Sequence, residues 1–366
     1  MKKMIVTMMV SLLMTTLIIQ QTVAEESTSF SVLSATENVT LSGTVEVEAG
    51  FASDYADTDT GEISLATVEF GVDAEINDWT KGHVLFSWDD GVDVDEGFIT
   101  LGGTETFPVY LTAGLLYVPF GVYETNMISD PLTLEIGETR EHAVQAGAEM
   151  KGFYGSLYLF NGDVQDDTGS EDDTVETFGA TAGYAIEKEN FSLDVGAGYI
   201  SNIMDSDGLG DGFEEDEAAF VETNPGGAYA LKDYVAGFGA HVIIRVGPVR
   251  MIGEYINALD DPEYLADDGA GTTTVIKTET PSAFHIECAY TFEIKEKEIT
   301  LAGTYQATDN LGGMHPETRY GAVAGIGLSE NLELAAEFLH DEDYDAVEGG
   351  TGESADSVTM QLALTF

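Results

Sequence analysis

The segment 356–366, DSVTMQLALTF, restricts the fold more than any other. Val358, Met360, Leu362, Leu364 and Phe366 fall on one face of a strand; Ser357, Thr359, Gln361, Ala363 and Thr365 fall on the other. Successive strand residues point to opposite sides, so this segment has two unlike faces. Earlier segments repeat the pattern. In PSAFHIECAYTFEI, Phe284, Ile286, Cys288, Tyr290, Phe292 and Ile294 oppose His285, Glu287, Thr291 and Glu293. In DYVAGFGAHVIIRV, Tyr234, Phe238, Val242, Ile244 and Val246 oppose His241 and Arg245.

The alternation predicts strands at 41–51, 63–76, 79–88, 96–103, 108–117, 140–150, 153–161, 174–186, 190–201, 233–246, 249–259, 282–294, 297–307, 318–329, 331–341 and 356–366. The links between them alternate in length. Short ones, such as Asn77-Asp78, Lys151-Gly152, Gly247-Pro248 and Lys295-Glu296, alternate with longer loops at 52–62, 89–95, 118–139, 162–173, 202–232, 260–281, 308–317 and 342–355. Outer-membrane barrels have short periplasmic turns and long extracellular loops. The fold expected is therefore all-β: a transmembrane antiparallel barrel of about sixteen strands over 41–366, with fourteen or eighteen left open. An even count puts both ends of the sheet at one rim, where first and last strands pair and no edge remains. A strand ending on an aromatic, as at Phe366, fits recognition by barrel-assembly machinery.

The opening residues support export. Lys2 and Lys3, the apolar run Met4 to Ile19 and Thr22-Val23-Ala24 have the order of a cleavable signal peptide over 1–24. Residues 25–40 read as a short periplasmic lead-in. No later stretch reaches the roughly 18 apolar residues of a membrane helix. Together these place the expected barrel in the outer membrane of a Gram-negative bacterium. One cysteine, Cys288, excludes an internal disulfide framework.

Charge bears on cargo. The chain has Lys+Arg 13 against Asp+Glu 67, a formal charge of −54. Such a chain repels nucleic-acid phosphates. The expected lumen face carries Glu46, Glu48, Glu69, Asp73, Glu149, Asp194, Glu254, Glu287, Glu333 and Glu337 against Lys81, His83, His241, Arg245, Arg250, His285 and Arg319. Charged linings set the sign of the ions admitted. The loops are acidic as well, and DSDGLGD makes Asp205, Asp207 and Asp211 weak calcium candidates; loop-bound divalent cations are the only cofactor the sequence suggests.

The 118–140 segment is too apolar to sit comfortably in water, so folding into the lumen is one reading of it. Here a resemblance enters. TVEFGVDAEINDW (67–79), VDVDEGFITLG (92–102), LYVPFGVYETNMISDPLTLEIGETRE (116–141), ALKDYV (230–235) and GEYINALDD (253–261) resemble the LbtU-type siderophore porins over roughly 41–366. The resemblance implies a single-chain barrel that passes ferric siderophore without a TonB-type plug, for which 25–40 is too short. No motif assigns ligand residues. Geometry alone nominates Tyr123, Glu124, Asn126, Asp130, Glu135, Glu138 and Arg140 in the loop. On the wall it nominates Arg245, Arg250, Glu254, His285, Glu287 and Arg319.

Four readings compete: a chelate-preferring porin, a general cation-selective diffusion porin, a barrel that only displays its loops, and an outer-membrane enzyme. The six histidines have no Ser or Asp spacing that suggests a catalytic group, which weighs against the last. Outer-membrane lipid is an expected partner, and a homo-trimer is open.

Overall fold

The computed structural model describes residues 38–89, 91–164 and 175–366. The expected signal peptide and nearly all of the lead-in lie outside them. Nineteen strands are present among the described residues. The first nine are β1 (Val39–Ser53), β2 (Asp59–Asn77), β3 (Thr80–Asp89), β4 (Gly91–Thr104), β5 (Phe107–Tyr117), β6 (Arg140–Met150), β7 (Phe153–Phe160), β8 (Thr177–Lys188) and β9 (Phe191–Ile200). Next come β10 (Ala228–Leu231), β11 (Gly237–Val246), β12 (Val249–Ala258), β13 (Glu263–Asp267) and β14 (Thr273–Lys277). The last five are β15 (Ser282–Ile294), β16 (Lys297–Asp309), β17 (Thr318–Ser329), β18 (Leu332–Glu342) and β19 (Ser354–Thr365). Sixteen of them form one closed antiparallel barrel; β10, β13 and β14 make a separate three-stranded sheet.

The seam closes where first and last strands meet, with Thr44 opposite Thr365 and Ser53 opposite Asp356. Gly43 and Phe366 exchange backbone hydrogen bonds of 2.8 and 3.0 Å. Closure satisfies every edge, which a sheet in lipid requires because hydrocarbon offers no hydrogen-bond partners. Seven links are two-residue turns: 78–79, 105–106, 151–152, 189–190, 247–248, 295–296 and 330–331. They mark the periplasmic rim, and both barrel ends lie there.

The alternation places side chains as the sequence implies. Val358, Met360, Leu362 and Leu364 face outward, as do Phe284, Ile286, Cys288 and Tyr290; His285 and Glu287 are buried inward. Outward aromatics gather at both ends of the strands. Trp79 lies 5.1 Å from Phe107 near the turns, and Tyr305 lies 5.3 Å from Tyr320 near the opposite rim. Such girdles seat amphipathic rings at the two membrane interfaces. No helix among the described residues is long and apolar enough to cross a membrane, and the strands do the crossing. The protein is an antiparallel transmembrane β-barrel.

Residues 260–281, expected as a loop, carry β13 and β14, and three further segments differ from expectation. Residues 91–95 are not a loop, because they belong to β4, and Asp89 of β3 pairs with Gly91. A bulge opposite Leu85 and Phe86 inserts one residue there, and both Asp95 and Glu96 turn away from the outer face. Residues 233–236 precede β11 rather than belong to it, so Tyr234 is not on the strand. They are held by the neighbouring loop instead: the Ile203 N–H donates to the Val235 carbonyl at 2.7 Å. Third, 201–236 is an ordered cap with a helix over Asp207–Thr223. Leu209 and Phe213 bury its inner side, and Phe213, Tyr229 and Tyr264 stack at 5.3 to 5.8 Å to join it to the small sheet.

Candidate functional site: the inward loop and the cavity beside it

The β5–β6 loop, 118–139 (here L3), folds into the lumen. Its apolar residues are the reason. Val118, Phe120, Tyr123 and Ile136 join a buried cluster with Leu209, Phe213 and Ile256, while Met127 packs in a second cluster with Leu339. Burying this much apolar surface favours the inward position. Two glycines admit the loop's backbone. A Cβ on Gly198 would stand 2.4 Å from the Phe120 carbonyl oxygen, and one on Gly208 would stand 1.9 Å from that of Glu135.

Burying a backbone without regular structure leaves N–H groups that need acceptors. The wall supplies carboxylates. Glu254 of β12 accepts from the N–H groups of Val122 (2.7 Å) and Tyr123 (3.1 Å) and from the Thr133 hydroxyl (2.9 Å). Glu287 of β15 accepts from the Asn126 N–H (3.1 Å), the Thr125 hydroxyl (2.6 Å) and the Asn126 amide. Glu337 of β18 accepts from the Ile128 N–H (2.6 Å) and from the Ser129 N–H (3.2 Å) and hydroxyl (2.6 Å). Gln306 of β16 accepts from the Leu132 N–H at 2.7 Å. Concave groups of backbone N–H favour anions, and here the anions belong to the protein. Tyr123 has a φ of 53°, a left-handed conformation uncommon for a tyrosine, beside the Glu254 anchor.

The nominated residues sort accordingly. Tyr123, Asn126, Glu254 and Glu287 form the attachment itself. Glu124 pairs with Arg250, whose guanidinium also donates to the Asn126 side-chain oxygen at 3.4 Å. His285 is fully buried, its Nε2 3.7 Å from Glu287. Glu135 sits on the single helical turn Leu132–Glu135; burial, then the Asp130 carboxylate, raise its pKa, while Arg319 opposes the shift. Arg319 is bound bidentately to Asp341 at 2.8 and 2.9 Å. Asp130 is exposed and Glu138 half-buried. Arg140 opens β6 and holds Asp95 at 3.1 Å. Arg245 does not face L3: it lies beside the 247–248 turn and pairs with Glu187 at 3.3 Å.

The calcium candidates are dispersed. Asp205 is buried and accepts from the Val164 N–H at 3.1 Å, and Asp207 accepts from the Arg140 N–H at 3.3 Å. Asp211 lies a turn further along the helix. Among the described residues no group of three or more His, Cys, Asp or Glu is placed to hold a metal ion.

Across from L3's anchored side, a cavity of about 320 Å³ runs between the loop and the wall from β2 to β11. Five carboxylates line it: Glu69, Asp95, Glu96, Glu138 and Glu149. His241 is its one basic side chain, and no Lys or Arg lines it. Glu69 and Glu149 were legible as lumen acids from alternation. Asp95 depends on the bulge, which the sequence does not announce.

Comparison with known proteins agrees with this architecture. No family model matches the chain. It is 29% identical over 380 residues to a UPF0422 protein of Coxiella burnetii, covering 96% of this chain and 77% of that protein. It is 26% identical to a UPF0422 protein of Legionella pneumophila strain Lens, covering 90% of this chain; the chain spans 66% of that relative's length. Among solved structures, the outer membrane channel DcaP of Acinetobacter baumannii superposes with a TM-score of 0.60 at 13% identity, covering 90% of this chain and 97% of that one. An anion-selective porin from Comamonas acidovorans gives 0.57 at 11% identity, covering 90% and 99%. The likeness to these solved outer-membrane barrels is one of fold, and it agrees with the closed sixteen-stranded sheet.

Proposed function

We propose that the barrel is a diffusion porin that favours cations. The lining of the cavity beside L3 carries this reading: five carboxylates and no Lys or Arg. Arg140 offsets one of the five, Asp95, while other Lys and Arg side chains of the wall are paired with acids outside the lining. Lys81 pairs with Glu75, Arg245 with Glu187, Arg250 with Glu124 and Arg319 with Asp341. A narrow passage with low-dielectric walls focuses such a field and raises the local concentration of counter-ions.

The test is the zero-current potential of the full mature protein in a planar bilayer under a potassium chloride gradient. Cation preference sets its sign, and Glu69→Gln with Glu149→Gln moves it toward zero. A potential of the opposite sign in the unaltered protein overturns the proposal.

A ferric siderophore is the narrower cargo suggested by the LbtU-type resemblance. Arginines that could grip an anionic chelate are already in ion pairs, so a neutral or cationic chelate suits this lumen better. Block of the pore current by a micromolar ferric chelate would support that cargo, and its absence would leave the general porin. Outer-membrane lipid and the assembly machinery are the partners this reading implies. A homo-trimer belongs to the same proposal, and the mass of the purified protein in detergent tests it.

A further inference from the structure

The cavity beside L3 has aromatic walls as well as acidic ones, and a pore for small inorganic ions has no use for them. Tyr110, Tyr154, Tyr117 and Phe98 line it together with the carboxylates. Two of the rings lie on glycines of neighbouring strands. A Cβ on Gly147 would meet the Tyr110 ring at 2.4 Å, and one on Gly183 would meet the Tyr154 ring at 2.2 Å. Bare backbone at these glycines lets the rings lie close against the wall, and both residues line the cavity. The hydroxyls are fixed as well: Tyr110 accepts from Gln145 at 3.0 Å, Tyr117 donates to Asp95 at 3.2 Å, and Tyr154 donates to Asp194 at 2.9 Å. Phe98 stacks on His83 at 4.9 Å. These rings are therefore oriented, not loose, and their faces carry the negative side of the π quadrupole.

Resting on the pore reading, we infer that this cavity is a binding subsite for organic cations with an apolar or aromatic body. Positive charge is attracted both by the carboxylates and by the ring faces. The apolar body fills a cavity whose volume suits a small drug-sized molecule, for which pockets begin at roughly 300 Å³. An aromatic anion gains the stacking and meets the acids. A bare metal cation gains the acids and leaves the rings unused.

The experiment compares three probes on the full mature protein in one planar bilayer: benzyltrimethylammonium, tetramethylammonium and benzenesulfonate. The expected result is saturable block of potassium current by benzyltrimethylammonium at a concentration roughly tenfold lower than for tetramethylammonium, with weaker block by benzenesulfonate. Tyr110→Leu weakens block by benzyltrimethylammonium more than block by tetramethylammonium and so narrows the gap between the two probes; a heat-modifiable band on gels shows that the variant barrel has folded. Equal block by both ammonium ions, or block that does not saturate, overturns the inference while leaving a cation-preferring pore. Tighter block by benzenesulfonate overturns the inference and the cation preference together. Absence of any steady current overturns the pore reading, and the subsite with it.

Discussion

At the scale of single residues, the wall carboxylates do structural work that their charge alone does not reveal. Glu254, Glu287 and Glu337 receive the N–H groups of 122–123, 126 and 128–129, a spacing of about three residues along L3. A hydrogen bond to a charged group contributes about 1.5–3 kcal/mol, and a buried donor left without its acceptor costs about 1–3 kcal/mol. Glu287→Ala removes the acceptor for Thr125 and for both Asn126 donors. Single-channel recording should then show higher conductance and greater open-state noise, with Glu287→Gln intermediate. Wild-type conductance and noise in Glu287→Ala would mean that packing alone holds the loop. Alternation along the strand placed Glu254 and Glu287 on the lumen face. It does not say what lies opposite them, so the anchoring was not legible. Arg245 shows the same gap: its face was right, but its height beside the turn keeps it away from L3.

At the scale of elements, the cap formed by 201–236 depends on a buried acid. Asp205 has one oxygen on the Val164 N–H, and its other oxygen has no hydrogen-bond partner among the described residues. Burial pushes its pKa from 3.8 up to about 7; the Val164 hydrogen bond and the nearby Asn202 side chain oppose this and the Asp163 charge adds to it. The undocked loop would ionise near the ordinary value while the docked loop keeps its proton. Docking stability is therefore complete below about pH 4, declines as pH rises between the two values, and is lowest above about 7. Hydrogen exchange of the 203–223 amides, corrected for the intrinsic rate, should show weaker protection at pH 8 than at pH 5. Asp205→Asn should flatten that dependence, and equal protection at both values in the wild type would contradict the argument. The helix itself was partly readable. Leu209, Phe213 and Phe220 fall at i, i+4 and i+11, a stripe of helical period, but glycines and acids around them resemble an open loop. The barrel strands were far clearer, because lipid on one side and lumen on the other enforce the alternation over every turn of the sheet.

At the scale of the whole molecule, the charge of −54 is distributed so that the cavity keeps an acidic lining while the lumen arginines are neutralised locally. Selectivity that arises from fixed charge is screened by salt. The Debye length falls from about 10 Å at 0.1 M to about 3 Å at 1 M. The cation-to-anion permeability ratio should accordingly drop toward unity over that range. A ratio independent of salt would point to selection by direct contact with the ion instead. Strand number, closure and both rims were legible, since each follows from periodicity and link length. The relation between L3 and the wall was not, because it joins residues more than a hundred positions apart.

Those long-range ties have a consequence for sequence drift. L3 is gripped chiefly by its main chain, through amides that every residue except proline possesses, and the glutamates that grip it stand on rigid strands. Side chains on the loop's free surface can therefore be exchanged without unfastening it. Such a barrel is a chassis: its gauge is set by the wall, and its taste can be rewritten one loop letter at a time, by evolution or by an engineer building a molecular sensor.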